Sequence, residues 1–281
     1  LNFDIDFNRY PRQKKFNYTQ KGYDYWLLEP IGNSHVYTRL ETVENMLDLL
    51  PKEIWSNPDA KFLDPCCKSG IFLDRIFWRL DKGLKDVIPD KIDRRDHIFT
   101  EQLYGLALDW MLTIQTRIVL YGRMYANHPT ACTRKFKTKE GNIKLFEVTV
   151  NGNSYGYTDI LKADPAVVDG MVKEAFGDVK FDVVIGNPPY QEKSQSIYQK
   201  FIDLAIRNSK QHVVMIVKNN WMVSDTLKDT RDNMVKNGLV KVIDYPVYGE
   251  IFKNVGVAVN IFHVDKKSNS DLHFRCVRNG D

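Results

Sequence analysis

Apolar residues along this chain recur at two alternating periods. Leu40, Val43, Met46, Leu47 and Leu50 fall three or four apart, which predicts a helix starting at Thr38, closed by a capping box with Glu41 and ended by Pro51. KFLD, 61–64, then reads as a short strand running into the turn PCCKSG. Ile71, Phe72, Ile76 and Phe77 or Leu80 return to helical spacing over 71 to about 80. QLYGLALD is a second strand reaching Asp109, followed by a helix from 110 to about 125. The stretch 127–158 is less regular, but the alternating run IKLFEVTV predicts a strand within it. Beyond TDIL come a helix at 165–176, the strand FDVVIG, a helix at 196–208, the strand HVVMIV and a helix at 225–237. VKVIDY and VGVAVNIFHV follow as strands. Only a short segment holding Gly249 separates them, too short for a crossover helix, so a hairpin-like antiparallel pair is expected.

Such alternation predicts an α/β fold: a mostly parallel seven-stranded sheet with an antiparallel end strand and helices on both faces. A length of 281 residues, 43% of them hydrophobic, suffices for one large domain or two smaller ones. Residues 1–36 are polar and aromatic with a basic cluster at Arg12, Lys14 and Lys15, and are expected to form an arm over the main domain. The chain begins at Leu1 rather than Met, which suggests a fragment.

A net charge of +4 permits a polyanionic partner without demanding one. No apolar run approaches the roughly 18 residues of a membrane span, and the start does not read as a signal peptide. Cys66, Cys67, Cys132 and Cys276 fit neither a zinc site nor a disulfide framework, so a reduced cytoplasm and no metal are expected.

Ligands of an open parallel sheet sit beyond the carboxyl ends of its strands. Two strand ends here carry unusual chemistry. In FLDPCCKSGIFL, Ser69 and Gly70 lead a tight turn into a helix amino terminus, with Asp64 at the lip, able to pair with a cationic group such as an amine. Neither a phosphate-binding loop nor a dinucleotide fingerprint is present. In FDVVIGNPPYQ, two prolines stiffen the loop after a buried strand. The Asn187 side-chain oxygen and the Pro188 carbonyl can accept both hydrogens of an –NH₂ group, Pro189 helps keep them preorganised, and Tyr190 can stack on the attached ring. An ordinary strand-to-helix loop remains open for the first site, and a chance proline loop for the second.

DPCCKSGIFL followed downstream by IGNPPY resembles the amino-group DNA methyltransferases of restriction–modification systems, closest to the γ-ordered adenine-specific class. The resemblance spans about residues 37–267 and implies a Rossmann-like, S-adenosylmethionine-dependent methyltransferase fold. By position it implies cofactor contacts from Tyr37, Thr38, Asp64, Pro65, Ser69 and Gly70, with Asp159 of TDIL toward the cofactor's adenine. Asn187, Pro188, Pro189 and Tyr190 become the catalytic loop, and Phe252 of GEIFKNVGV a second ring for the flipped base. Trp221 of VKNNWM is expected to pack rather than bind. Two positions depart from the family pattern: Lys68 stands where Gly is usual, and Ala107 where an acidic ribose ligand is usual, with Asp109 on the same strand face as substitute.

The function these features imply is methyl transfer from S-adenosylmethionine to the exocyclic amine of a flipped adenine in double-stranded DNA. Methylation of a protein glutamine or of RNA is one alternative, and a degenerate DNA-binding domain without catalysis is another. Residues 268–281 are expected to begin a C-terminal recognition region, or recognition to come from another chain. Lys193, Lys218, Lys253, Lys266 and Lys267 are candidate phosphate contacts or solvated surface.

Overall fold

A computed structural model describes residues 38–68, 70–107, 116, 120, 142–145, 148–150, 153–155, 165–192, 195–247, 249, 251–252, 256–268 and 273–278. The 1–36 arm, TDIL and, apart from residues 116 and 120, the 110–125 helix lie outside them.

Helix α1 (Leu40–Leu47) precedes the short strand β1 (Phe62–Asp64), and α2 (Ile71–Gly83) follows it. A polar helix, α3 (Lys91–His97), leads toward β2 (Leu103–Ala107). Nothing in its apolar spacing announced α3. Asp90 caps it by accepting the N–H groups of Ile92 and Asp93. Its inward face is made by Arg94, buried against Asp81 at 3.0 Å and the carbonyls of Ile88 and Pro89.

IKLFEVTV divides into two strands rather than forming one. β3 (Asn142–Leu145) joins the main sheet, while β4 (Val148–Val150) pairs with β5 (Asn153–Tyr155) in a separate ribbon. Then come α4 (Pro165–Phe176), β6 (Phe181–Gly186), the small hairpin β7 (Gln191–Glu192) and β8 (Gln195–Ser196), and α5 (Tyr198–Asn208). The chain continues through β9 (Ser209–Lys218), α6 (Lys228–Asn237), β10 (Leu239–Tyr245), β11 (Val259–Asp265) and β12 (Phe274–Arg278).

Among the described residues the main sheet has eight strands in the order β12-β10-β11-β9-β6-β1-β2-β3. The expectation of seven strands with an antiparallel one at the end is corrected in two respects. β12, from the stretch read as the start of another region, adds a parallel edge strand beside β10. The antiparallel strand is β11, and it lies inside the sheet between β9 and β10. The crossover through α6 leaves a gap of one strand between β9 and β10. A connection too short for a second crossover returns β11 antiparallel into that gap.

Strand alternation divides the core between the two faces. Phe62, Val183, Ile185, Val214 and Ile216 join α1 and α2 on one side. Leu63, Val184, Val213, Met215 and Phe262 join α5 and α6 on the other. Phe181 sits with the second group although Val183 belongs to the first. The register shift between Phe181 and Val183 permits this. Trp221 is fully buried, its indole N–H donating to Asn260 Oδ1 at 3.0 Å, as expected of a packing residue. No helix among the described residues is long and apolar enough to cross a membrane.

Near the amino end of β9, His212 Nδ1 lies 3.0 Å from His263 Nε2, and Asp265 is 3.8 Å from His212. Burial lowers the pKa of both rings. His263 falls to about 4, with the neighbouring His212 adding to the effect. The unfolded chain therefore takes up a proton near pH 6.5 that the folded His263 refuses until about 4. Its contribution is fully present above 6.5 and is lost as pH falls through that window, by roughly 3 kcal/mol at most. Urea unfolding at pH 7 and pH 4.5 should show a smaller acid loss in His263→Gln than in the parent protein. Equal losses would remove the pair from the acid response.

Candidate active site

The strand order makes β1 and β6 neighbours, and the chain departs from them in opposite directions. From β1 it moves to β2 and β3; from β6 it moves to β9. Ligands of doubly wound sheets bind at such a switch point, beyond the strand carboxyl ends. Phe62 pairs with Val183 and Leu63 with Val184, so β1 delivers Asp64 beside the last residues of β6.

Gly186 makes that juxtaposition possible. A Cβ at this position would stand 2.7 Å from Asp64 Oδ1 and 3.5 Å from Pro65 Cδ. The contact is tight because Asp64 is only 1% exposed and its Oδ1 accepts the Cys66 N–H at 2.9 Å. Gly186→Ala should displace the carboxylate and cost roughly 1–3 kcal/mol of stability. Thermal unfolding checks this: a midpoint matching the parent would show that the two strand ends have slack.

Burial raises the Asp64 carboxyl from 3.8 to about 7, against smaller opposing pulls from the Cys66 N–H and the Lys68 charge. The turn beyond it is held from outside. The Cys67 N–H donates to the Leu106 carbonyl at 3.0 Å, and the buried Thr116 hydroxyl donates to the Lys68 carbonyl at 3.0 Å. Lys68 has φ 25 and Gly70 φ 79, so the backbone passes through the left-handed region before α2 begins. Thr116 also explains Gly70, since a Cβ there would meet its Cγ2 at 2.8 Å. Thr116 was not legible in the sequence: nothing local marks a threonine in the region after β2 as a support for the turn after β1. The thiols of Cys66 and Cys67 are pushed up by burial and held protonated.

Across the switch point, Asn187 is 4% exposed, and its Nδ2 donates to Thr38 Oγ1 at 3.0 Å. The expected capping box is therefore absent. Helix α1 starts at Leu40 rather than Thr38, with Arg39 at its cap position and no side-chain cap bond. α1 is fixed to α2 through Glu44, which binds Arg75 and, at 2.6 Å, Arg79; Arg79 also reaches Asp48 at 2.8 Å.

Pro188 is buried, while Pro189 and Tyr190 are half-buried. The Ile197 N–H donates to the Tyr190 carbonyl at 3.2 Å, drawing the loop into the β7–β8 hairpin. Tyr190 packs against both core clusters, and its hydroxyl is buried with no hydrogen-bond partner among the described residues. Phe252 is buried in one of those same clusters. Sequence-predicted residues from three separate segments thus come together, Thr38, Asp64 with Pro65 and Gly70, and Asn187 to Tyr190, while Phe252 lies in the large apolar cluster that Tyr190 packs against. Tyr37, Ser69, Asp109 and Asp159 lie outside the described residues, as do Lys193 and Lys253. Lys266 is no free phosphate contact, because its ammonium donates to the carbonyls of Ile206 and Ser209 at the end of α5.

The arrangement sets a buried carboxylate suited to a cation beside an amide acceptor and a half-buried aromatic ring. Residues 101–252 match the family model of the Eco57I restriction-modification methylase. The chain belongs to that family. The matched stretch contains the Asn187 loop and Phe252 and begins after the Asp64 turn. An uncharacterized adenine-specific methylase of Mycoplasma pneumoniae is 31% identical over 267 residues, covering 78% of this chain and 63% of the relative. The chain thus spans less than two thirds of that relative's length.

Among solved structures, a nuclease-deletion mutant of the type ISP restriction-modification enzyme LlaGI, in complex with a DNA substrate mimic, superposes with TM-score 0.61. The match has 15% identity and covers 88% of this chain and 24% of that one. The EcoKI M protein gives 0.57 at 14% identity, over 88% of this chain and 49% of that one. A putative class I S-adenosylmethionine-dependent methyltransferase from Listeria monocytogenes gives 0.54 at 14% identity, over 90% and 68%. At these identities the likeness is one of fold, and it is the Rossmann-like class I methyltransferase fold with its mostly parallel sheet.

Proposed function

We propose that this family member transfers a methyl group from S-adenosylmethionine to the exocyclic amine of a flipped adenine in double-stranded DNA, within a restriction–modification system of the cytoplasm. The observation that carries the reading is the placement of the Asn187–Pro188–Pro189–Tyr190 loop beside Asp64 at the switch point, with Gly186 keeping the two strand ends in contact. Family membership and the adenine-specific relative support the choice of acceptor.

The residues present fit the cofactor. Asp64 is a buried carboxyl held near neutrality, and a ligand ammonium would stabilise its ionised form. Pro65 and Gly70 shape the turn beside it, and the reading extends the pocket to Tyr37, Thr38, Ser69, Asp109 and Asp159. When bound, the cofactor supplies a methyl group activated by its sulfonium. The Asn187 oxygen and the Pro188 carbonyl accept the two hydrogens of the adenine amine, which aims its lone pair outward. Tyr190 and Phe252 grip the ring, whose extrusion from the duplex has a cost that stacking helps offset. The amine proton released on transfer goes to water, while these acceptors hold the amine by hydrogen bonds. Sequence recognition belongs to a further region of the protein or to another chain.

The test supplies methyl-tritiated S-adenosylmethionine with long unmethylated duplex DNA and analyses the nucleosides. Label in N6-methyladenine is expected. Label confined to cytosine, to RNA or to a glutamine peptide offered in parallel would reassign the acceptor. Cofactor binding without label in any of them would leave a degenerate domain.

A further inference from the structure

We propose that Thr38 is the positioning residue of the transfer step: its hydroxyl tethers the amino half of the Asn187 amide and so presents the carbonyl half to the substrate amine. The inference rests on the methyltransferase reading and gives Thr38 a role beyond a cofactor contact.

A primary amide has two ends of nearly equal shape and opposite hydrogen-bonding character. Only one orientation of Asn187 can accept from an amine. Turned over, it would set N–H against N–H. The prolines that follow stiffen the backbone but leave the terminal side-chain torsion, which is broad for asparagine, unfixed. Thr38 Oγ1, 3.0 Å from Nδ2, supplies a constraint on it. Both residues are almost fully buried, so water competes little for the bond.

The tether is itself anchored. The carbonyl of Arg39, the next residue and the cap of α1, accepts the Val43 N–H at 3.0 Å, so the helix begins two residues after Thr38. α1 buries Thr42, Val43, Met46 and Leu47, and Glu44 binds two arginines of α2. α2 in turn starts at Gly70, in the cofactor turn. Asn187 is thereby registered against the cofactor side of the site through this side-chain bond and two packed helices. Thr38 stands where the sequence placed a capping hydroxyl, yet α1 has no side-chain cap bond and the hydroxyl meets Asn187 instead.

Thr38→Val keeps the shape and removes the acceptor; Thr38→Ser keeps the acceptor. With saturating labelled cofactor and unmethylated duplex DNA, Thr38→Val should lose about tenfold or more in kcat, as misplacement of a reacting group does. Its KM for DNA should stay within about twofold and any loss of cofactor affinity is overcome at saturation, so the deficit stays in kcat, while Thr38→Ser restores kcat. An unchanged kcat in Thr38→Val, or weakened cofactor binding with normal kcat at saturation, overturns the role. Hydrogen exchange of the Asn187 side-chain amide, read by NMR on asparagine-labelled protein, tests the tether without catalysis. Slow exchange in the parent protein, faster in Thr38→Val, is expected. Exchange in the parent as fast as at exposed asparagines overturns the tether even if Thr38→Val does not fold. A parent protein that methylates no adenine would instead sink the functional reading, and the exchange result would still decide the tether.

Discussion

Asn187→Ala is expected to lower single-turnover methyl transfer by about 100- to 1,000-fold, the loss typical of removing one preorganised polar group from a transition state. The amide is 4% exposed at the end of β6, and Ala keeps the backbone compatible with the following proline. Its cofactor affinity should be preserved, because the Asp64 turn is built from β1 and supported by Leu106 and Thr116 rather than by Asn187. The substitution also strips the Thr38 hydroxyl of its partner, at a stability cost of about 1–3 kcal/mol. A thermal melt run beside the assay separates that cost from the chemical one. Transfer within tenfold of the parent would remove Asn187 from the role of amine acceptor.

Asp64→Asn should have the second-largest effect, and in opposite directions on binding and stability. In the ligand-free protein the carboxyl holds its proton until about pH 7, while in the unfolded chain it releases it near 3.8. The folded state therefore binds more protons between those values. Stability is fully present below 3.8 and is lost as pH rises toward 7, by roughly 4 kcal/mol. An amide mimics the protonated acid and can still accept the Cys66 N–H, so the variant should unfold at higher urea than the parent at pH 8 and lack this pH slope. Its affinity for S-adenosylmethionine should fall by more than about a hundredfold, since one buried, charge-assisted partner is gone. In the parent, affinity should rise from pH 6 to pH 8, because the cofactor ammonium favours the ionised carboxylate. Calorimetry at both pH values checks the sign. Tight, pH-independent binding by the variant would place the cofactor's ammonium elsewhere.

The described helices and strands that bury apolar stripes were legible to within a few residues, and α4 and β6 fall on the expected bounds. The α3 helix was not, because its inward face is an arginine satisfied by Asp81 and two carbonyls rather than a run of apolar side chains. The start of α1 misled for a related reason. A threonine three residues before a glutamate is a local signature for a cap, but the hydroxyl found a distant amide instead. The position of β11 within the sheet also escaped the sequence, since a short connection fixes antiparallel pairing and says nothing about which second neighbour the strand takes.

By itself the sequence determined the α/β class, the stiff proline loop after a buried strand, and the two motifs whose order resembles an adenine-specific methyltransferase. Those are properties of adjacent residues: apolar period, proline geometry and the chemistry of one side chain. Tertiary structure alone decided that Gly186 has to lack a side chain so that Asp64 can stand against it, and that Thr116 closes the Asp64 turn. It alone joined Thr38 to Asn187 across 149 positions. Contacts at such separation depend on strand order and helix packing. A chain fixes these only when its whole core is assembled.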